Sequence, residues 1–126
     1  MPNSPMKNVL VVEDEQVIGA ICKRVLTKEG FNIVLTDDGI KAVKLLTENK
    51  FDLCLLDIRT PGMDGLELYD HISRNYPNLS PKIIFMTGDS LSKNIQEFAS
   101  KVGCRLLEKP FSTHELVTIV TAVSNS

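Results

Sequence analysis

Short, unbroken apolar runs alternate along this chain with longer stretches in which apolar residues recur every three or four positions. The first run, Val9-Leu10-Val11-Val12, is rich in β-branched residues and has no polar alternation, the pattern of a strand buried on both faces. Past Glu13-Asp14, apolar residues fall at Val17, Ile18, Ile21, Cys22, Val25 and Leu26, a helical stripe that Gly30 closes. The theme repeats as a strand over 31–35 and a helix over 39–49, whose apolar side is Ile40, Val43, Leu45 and Leu46. It continues as a strand over 51–56 and a helix over 66–76, then a strand over 82–86 and a polar helix over 92–102. Arg105–Glu108 is the last strand and 113–123 the last helix, with Ser112 or Thr113 as its cap and Glu115 in its first turn. Strict β-α alternation predicts a parallel sheet with helices on both faces. Right-handed crossovers then favour the strand order 2-1-3-4-5, a flavodoxin-like α/β three-layer sandwich with five helices.

In such a sheet, ligands gather at the carboxyl ends of the strands, near the switch between strands 1 and 3. The residues at those ends are informative: Glu13 and Asp14 after strand 1, Asp57 after strand 3, Thr87 after strand 4, and Lys109 followed by Pro110 after strand 5. Taken alone, Asp57 reads best as a turn or cap residue. With Asp14, Thr87 and Lys109 at sister positions, the functional reading overtakes it. For Glu13, a solvated edge carboxylate is the minority alternative. Strands 1 and 3 are expected neighbours, so three carboxylates converge, and each like-charge pair at roughly 4 Å costs about 4 kcal/mol at an effective dielectric near 20. A divalent cation resolves that repulsion. Oxygen-only donors with room for water suit Mg²⁺ better than a closed Ca²⁺ cage. A carboxylate nucleophile, a metal, an ammonium and a hydroxyl around one cleft make a phosphoryl site.

Composition narrows the alternatives. The chain has 126 residues, of which 43% are hydrophobic, enough for one sizeable core and little more. Its formal net charge of -2 gives no global basic field, so no direct nucleic-acid partner is expected. Cys22, Cys54 and Cys104 are an odd number without metal spacing, and read as reduced thiols. No run is long enough for a membrane span, and no signal-peptide pattern opens the chain, so the expected location is cytoplasmic. His71 and His114 are expected on helix surfaces, Cys22 and Cys54 in the core, and Asp64 as the cap of the third helix.

VVEDE at 11–15, LLDIRTPGMDG at 55–65, MTG at 86–88 and EKPF at 108–111, each after its own strand, together resemble the receiver (CheY-like) domain of two-component response regulators. The resemblance covers 7–126 as one domain and leaves 1–6 as a flexible arm. It implies that Asp57 accepts a phosphoryl group from a sensor histidine kinase or a histidine phosphotransfer protein. It also implies that Glu13, Asp14, Asp57 and the backbone carbonyl of Arg59 hold Mg²⁺. By the same resemblance Thr87 bonds a phosphoryl oxygen, Lys109 pairs with the phosphoryl group, and Pro110 follows a cis peptide bond. The output is a change in partner binding, through an apolar face of helix 4, strand 5 and helix 5 that would include Leu106, Val117, Val120 and Val123 and would also serve a weak homodimer.

Two departures carry expectations of their own. Leu106 stands where the family usually has Tyr or Phe, so coupling between Asp57 and the helix 4–strand 5–helix 5 face is expected to be weaker. Arg59 and Asp89 carry opposite charges and are expected to approach across the cleft and restrict attacking water. Rival classes fit less well. An aspartate-based phosphatase needs a second Asp two residues after the first, where Arg59 stands, and a flavin carrier's phosphate loop would meet Glu13-Asp14-Glu15.

Overall fold

The computed structural model describes residues 6–88 and 92–126. Five strands, β1 (Asn8–Val12), β2 (Asn32–Thr36), β3 (Leu53–Asp57), β4 (Ile83–Thr87) and β5 (Arg105–Glu108), form one parallel sheet in the order β2-β1-β3-β4-β5. The helices are α1 (Gln16–Lys28), α2 (Gly39–Glu48), α3 (Gly65–Asn75), α4 (Lys93–Val102) and α5 (Thr113–Ser124). The expected order and alternation are therefore present. Element bounds differ from the expected ones by a residue or two, and three strands run one residue further: β2 ends on Thr36, β3 on Asp57 and β4 on Thr87, because ladder pairing carries each into its first polar residue.

Strand alternation splits the core in two. Leu10, Val12, Cys54, Leu56, Ile83 and Phe85 face one side, against Ala42 and Leu46 of α2, Leu68 and Ile72 of α3, and Ile95 of α4. Val9, Val11, Leu53, Leu55, Ile84, Met86 and Leu107 face the other, against Cys22 and Leu26 of α1 and Leu116, Val120 and Val123 of α5. Cys22 and Cys54 are core residues as expected, and burial pushes the Cys22 thiol up to about 12 and the Cys54 thiol higher still.

Two helical stripes differ from the reading of the sequence. Val17 and Ile40, each in the first turn of its helix, are 72% and 60% exposed. The buried places beside them go to Gly19 and Ala42, which let α1 and α2 approach the sheet closely. Helix ends follow the capping rules more faithfully. Asp64 and Glu67 close a capping box on α3, and Ser112 and Glu115 close another on α5. His114 is exposed as expected, whereas His71 is half-buried, its ring 6.3 Å from that of Tyr76.

The loop after β3 is braced by the start of α2. Gly39 N donates to Pro61 O at 3.1 Å, and Thr60, itself buried, donates from Oγ1 to Met63 O at 3.0 Å. A Cβ on Gly39 would lie 1.8 Å from Met63 O, so only glycine fits there. We expect Gly39→Ala to lose about 1–3 kcal/mol of stability, as overpacking does, read from urea unfolding midpoints. In Gly88→Ala, where no described atom lies within 4 Å of the new Cβ, the change should stay within about 0.5 kcal/mol.

Candidate phosphoryl-transfer site

The sheet's alternation selects the side chains that meet beyond its carboxyl edge. Val9, Val11 and Glu13 share one face, as do Leu53, Leu55 and Asp57, and Leu107 and Lys109. Just past the apolar layer, the period-2 pattern thus replaces hydrocarbon by two carboxylates and an ammonium. Lys109 Nζ lies 2.8 Å from Glu13 Oε1, 3.2 Å from Asp57 Oδ2 and 3.3 Å from Glu15 Oε1. Asp14 and Thr87 fall on the opposite parity, in register with Val12 and Phe85, so the cluster straddles the sheet edge.

Backbone geometry fixes Asp57 and its surroundings. Arg59 N donates to Asp57 Oδ1 at 3.2 Å, Ile58 N to Met86 O at 3.1 Å, and Lys109 N to Thr87 O at 2.8 Å. The Lys109–Pro110 bond is cis. Gly65 lets α3 start directly against Asp57, since a Cβ there would lie 2.6 Å from Asp57 O. Asp57 is 5% exposed but lines a cleft of about 330 Å³ with Asp14, Glu15, Arg59, Thr87, Gly88 and Lys109. A larger hollow of about 790 Å³ opens at the other end of the strands. Two of its three lysines are tied to the carboxyl end of α5: Lys7 donates to Ser124 O and Lys82 to Val123 O.

The electrostatics are those of a frustrated cluster. Glu13 is 2% exposed, not the solvated edge carboxylate that remained an alternative. Its Oε2 accepts from Glu15 N at 3.1 Å, whereas Oε1 touches Lys109 without hydrogen-bond alignment and accepts no hydrogen bond. Burial, then the neighbouring Asp57 carboxyl, push Glu13 up to about 7 despite the nearby ammonium. Burial alone would lower Lys109, but Glu13 and Asp57 outweigh it and hold Lys109 at about 12. One ammonium therefore does not neutralise the group. Glu13, Asp14 and Asp57 each offer an oxygen within 4.8 Å of the others, with Asp14 exposed. All are hard oxygen donors, one side is open to water, and a buried carboxylate oxygen lacks a hydrogen bond. This set fits a hexahydrate-derived divalent ion such as Mg²⁺.

The structure brings the residues singled out in the sequence, Glu13, Asp14, Asp57, Arg59, Thr87 and Lys109, to one place. Sequence reasoning missed Glu15, whose only signal was a third acid in the run Glu13-Asp14-Glu15. Asp89 lies outside the described residues, so the expected Arg59–Asp89 approach belongs to that part of the chain. The expected apolar face needs correction: Val120 and Val123 are buried beneath α5, because its stripe turns them towards the sheet. The groove beside β5 is lined instead by Leu106, Ile119 and Ala122.

Residues 9–121 match the response regulator receiver domain, and the chain belongs to that family. It is 36% identical over 116 residues to the Bacillus subtilis transcriptional regulatory protein YrkP, covering 90% of this chain and 48% of that protein. It is 32% identical over 121 residues to the Candida albicans transcription factor SKN7, covering 96% of this chain and 21% of that protein. The chain thus spans from a fifth to about half the length of these relatives. Among solved structures, Vibrio cholerae chemotaxis protein CheY4 superposes with a TM-score of 0.85 at 25% identity, over 94% of this chain and 99% of that one. The receiver domain of a Pseudomonas aeruginosa sensor histidine kinase, with a magnesium ion coordinated in its active-site cleft, superposes with a TM-score of 0.84 at 28% identity, over 97% of this chain and 100% of that one. Among the described residues, no helix is long and apolar enough to cross a membrane.

The Glu13 shift predicts the pH response of the metal-free protein. The carboxyl titrates at 4.5 when unperturbed and near 7 when folded. Between those values the folded chain holds the extra proton, so Glu13 stabilises the fold at low pH. That contribution, up to about 3 kcal/mol, is lost as pH rises through the window. Urea unfolding in chelator should show wild type losing stability relative to Glu13→Gln between about pH 5 and pH 8. A constant difference between the two proteins would contradict the assignment.

Proposed function

We propose that the chain is a phosphorylation-switched signalling module that accepts a phosphoryl group on Asp57 from a phosphohistidine of a sensor histidine kinase or a histidine phosphotransfer protein. The observation that carries this reading is the Asp57 carboxylate itself: nearly buried, on the wall of an open cleft, and 3.2 Å from an ammonium held at about 12. In the reaction, an Asp57 carboxylate oxygen attacks phosphorus as the phosphorus–nitrogen bond breaks. The imidazole leaves with the electron pair and takes a proton, and Asp57 becomes an acyl phosphate. Mg²⁺, held by Glu13, Asp14, Asp57 and the Arg59 carbonyl, would supply positive charge for the phosphoryl oxygens.

Lys109 neutralises a second side of the transferring group, and the Thr87 hydroxyl bonds a phosphoryl oxygen. Phosphorylation replaces one negative charge on Asp57 by about two and adds acceptor oxygens. Thr87 and Lys109, on adjacent strands joined by the Lys109 N–Thr87 O bond, are drawn in together. The module catalyses only its own modification and works in the cytoplasm, where such a partner kinase presents its phosphohistidine. Its partner binding changes at the helix 4–strand 5–helix 5 side, where Leu106 gives weaker coupling than an aromatic ring.

Incubation with acetyl phosphate and Mg²⁺, followed by intact-mass measurement, should add one phosphoryl group to wild type and none to Asp57→Asn. The adduct should be released by hydroxylamine, as an acyl phosphate is. Lys109→Met should slow formation by about 10²-fold or more, the range for removing a charge-stabilising donor. Equal labelling of Asp57→Asn would refute the assignment.

A further inference from the structure

Lys109 is surrounded by more carboxylates than its phosphoryl role needs, and they are not equivalent. An ammonium has three protons, and here three carboxylates lie within 3.3 Å: Glu13, Asp57 and Glu15. Glu13 and Asp57 are buried, with side chains 0% and 7% exposed, whereas the Glu15 side chain is 61% exposed. Glu15 precedes α1 as its cap residue without making a side-chain cap hydrogen bond, so the helix does not require its carboxylate. Its side chain instead reaches across the cleft to an ammonium on the far side of the sheet edge, 94 residues away in sequence.

We propose that Glu15 is a positioning residue: an exchangeable partner that holds Lys109 in the unmodified state and gives way to the phosphoryl group. This rests on the reading of Asp57 as phosphoacceptor. Lys109 donates hydrogen bonds to Glu15 and Asp57 and touches Glu13, so a phosphoryl oxygen approaching from the cleft must displace one of these contacts. Giving up buried Glu13, or Asp57 before its oxygen has bonded to phosphorus, would leave a carboxylate without its cation in a site shielded from water. Freeing Glu15 returns a carboxylate to solvent at little penalty, because an exposed ion pair is worth at most about 1 kcal/mol. Glu15 therefore competes with the incoming group for one proton of Lys109, and sets how readily Lys109 becomes available. The phosphorus–oxygen bond still forms at Asp57, and the donor's bond still breaks; Glu15 exchanges no atoms.

Contact and simple field effects separate experimentally. Glu15→Gln removes the charge, while Glu15→Asp keeps the charge but shortens the reach to Lys109. Asp37→Asn removes a different exposed carboxylate, one paired with Lys41. In metal-free protein, the Lys109 side-chain ammonium resonance should move in Glu15→Gln and Glu15→Asp and stay in place in Asp37→Asn. With acetyl phosphate and Mg²⁺, the initial rate of phosphorylation should rise by about two- to fivefold in both Glu15 variants, the range set by a solvent-screened pair. A rise in Glu15→Gln alone, or an equal rise in Asp37→Asn, would reduce Glu15 to a background charge and overturn the proposal. So would an unmoved ammonium signal. If wild type itself takes up no phosphoryl group, the reading of Asp57 fails, and the ammonium resonance still decides whether Glu15 holds Lys109.

Discussion

One constraint governs this molecule: like charges must be held together at the edge of an apolar sheet. Glu13, Asp57 and Lys109 continue, at period 2, the face that Val11, Leu55 and Leu107 bury beneath α1 and α5. The parallel registers Val11↔Leu55 and Met86↔Leu107 set their relative heights, and a one-residue slip in any pair would turn one of the three to the other face. The unbroken hydrophobic ladders below are what keep that register. The same core that supplies folding energy therefore supports a cluster that is unfavourable in the absence of a second cation. Glu13 shows the consequence, since burial raises its proton affinity more than Lys109 lowers it.

The reactive edge is also kept from relaxing. A strand end with three acids could relieve repulsion by swinging the loop after β3 outward. Instead Gly65 N donates to Ile58 O at 2.9 Å, Gly39 N holds Pro61 O, and Thr60 closes the turn onto Met63 O. One of these braces, Gly39, belongs to α2, an element that adds no residue to the cleft. It makes the position of Asp57 depend on helix packing some distance from the acids.

Much of this was legible in the sequence, for identifiable reasons. Continuous apolar runs and glycine stops gave the elements and their order, because buried parallel strands leave few other patterns. The residues at strand ends gave the site, because the fold concentrates function there. Places where side-chain periodicity competes with close packing were harder. Val17 and Ile40 look like core residues by spacing, yet Gly19 and Ala42 take the buried positions because small residues let the helices sit close. Glu13 and Glu15 looked alike and share a parity; Glu13, directly after β1, is buried, whereas Glu15, at the start of α1, stays at the rim. Gly39 could not be recognised from its neighbours, since the atom it makes room for is 24 residues on, at Met63.

Parity also bears on how a modification at Asp57 would be felt. Lys109 stands on the α1/α5 side, but Thr87 follows Phe85 onto the other, where Phe85 meets Tyr69 of α3 at 5.8 Å and Phe98 of α4 at 5.7 Å. Tyr69 and Phe98 are 5.6 Å apart and nearly perpendicular, so the three rings form a closed triangle two residues behind the hydroxyl. A phosphoryl group drawing on Thr87 and Lys109 together would load both layers of the core at once. On the α1/α5 side the load meets aliphatic packing around Leu107, Leu116 and Val120, which can accommodate small shifts. On the other it meets interlocked rings tied to the start and middle of two helices. Leu106, half-buried against that same layer, adds bulk without orientation. The layer behind Thr87 is therefore built on interlocked rings, whereas the buried layer behind Lys109 is aliphatic.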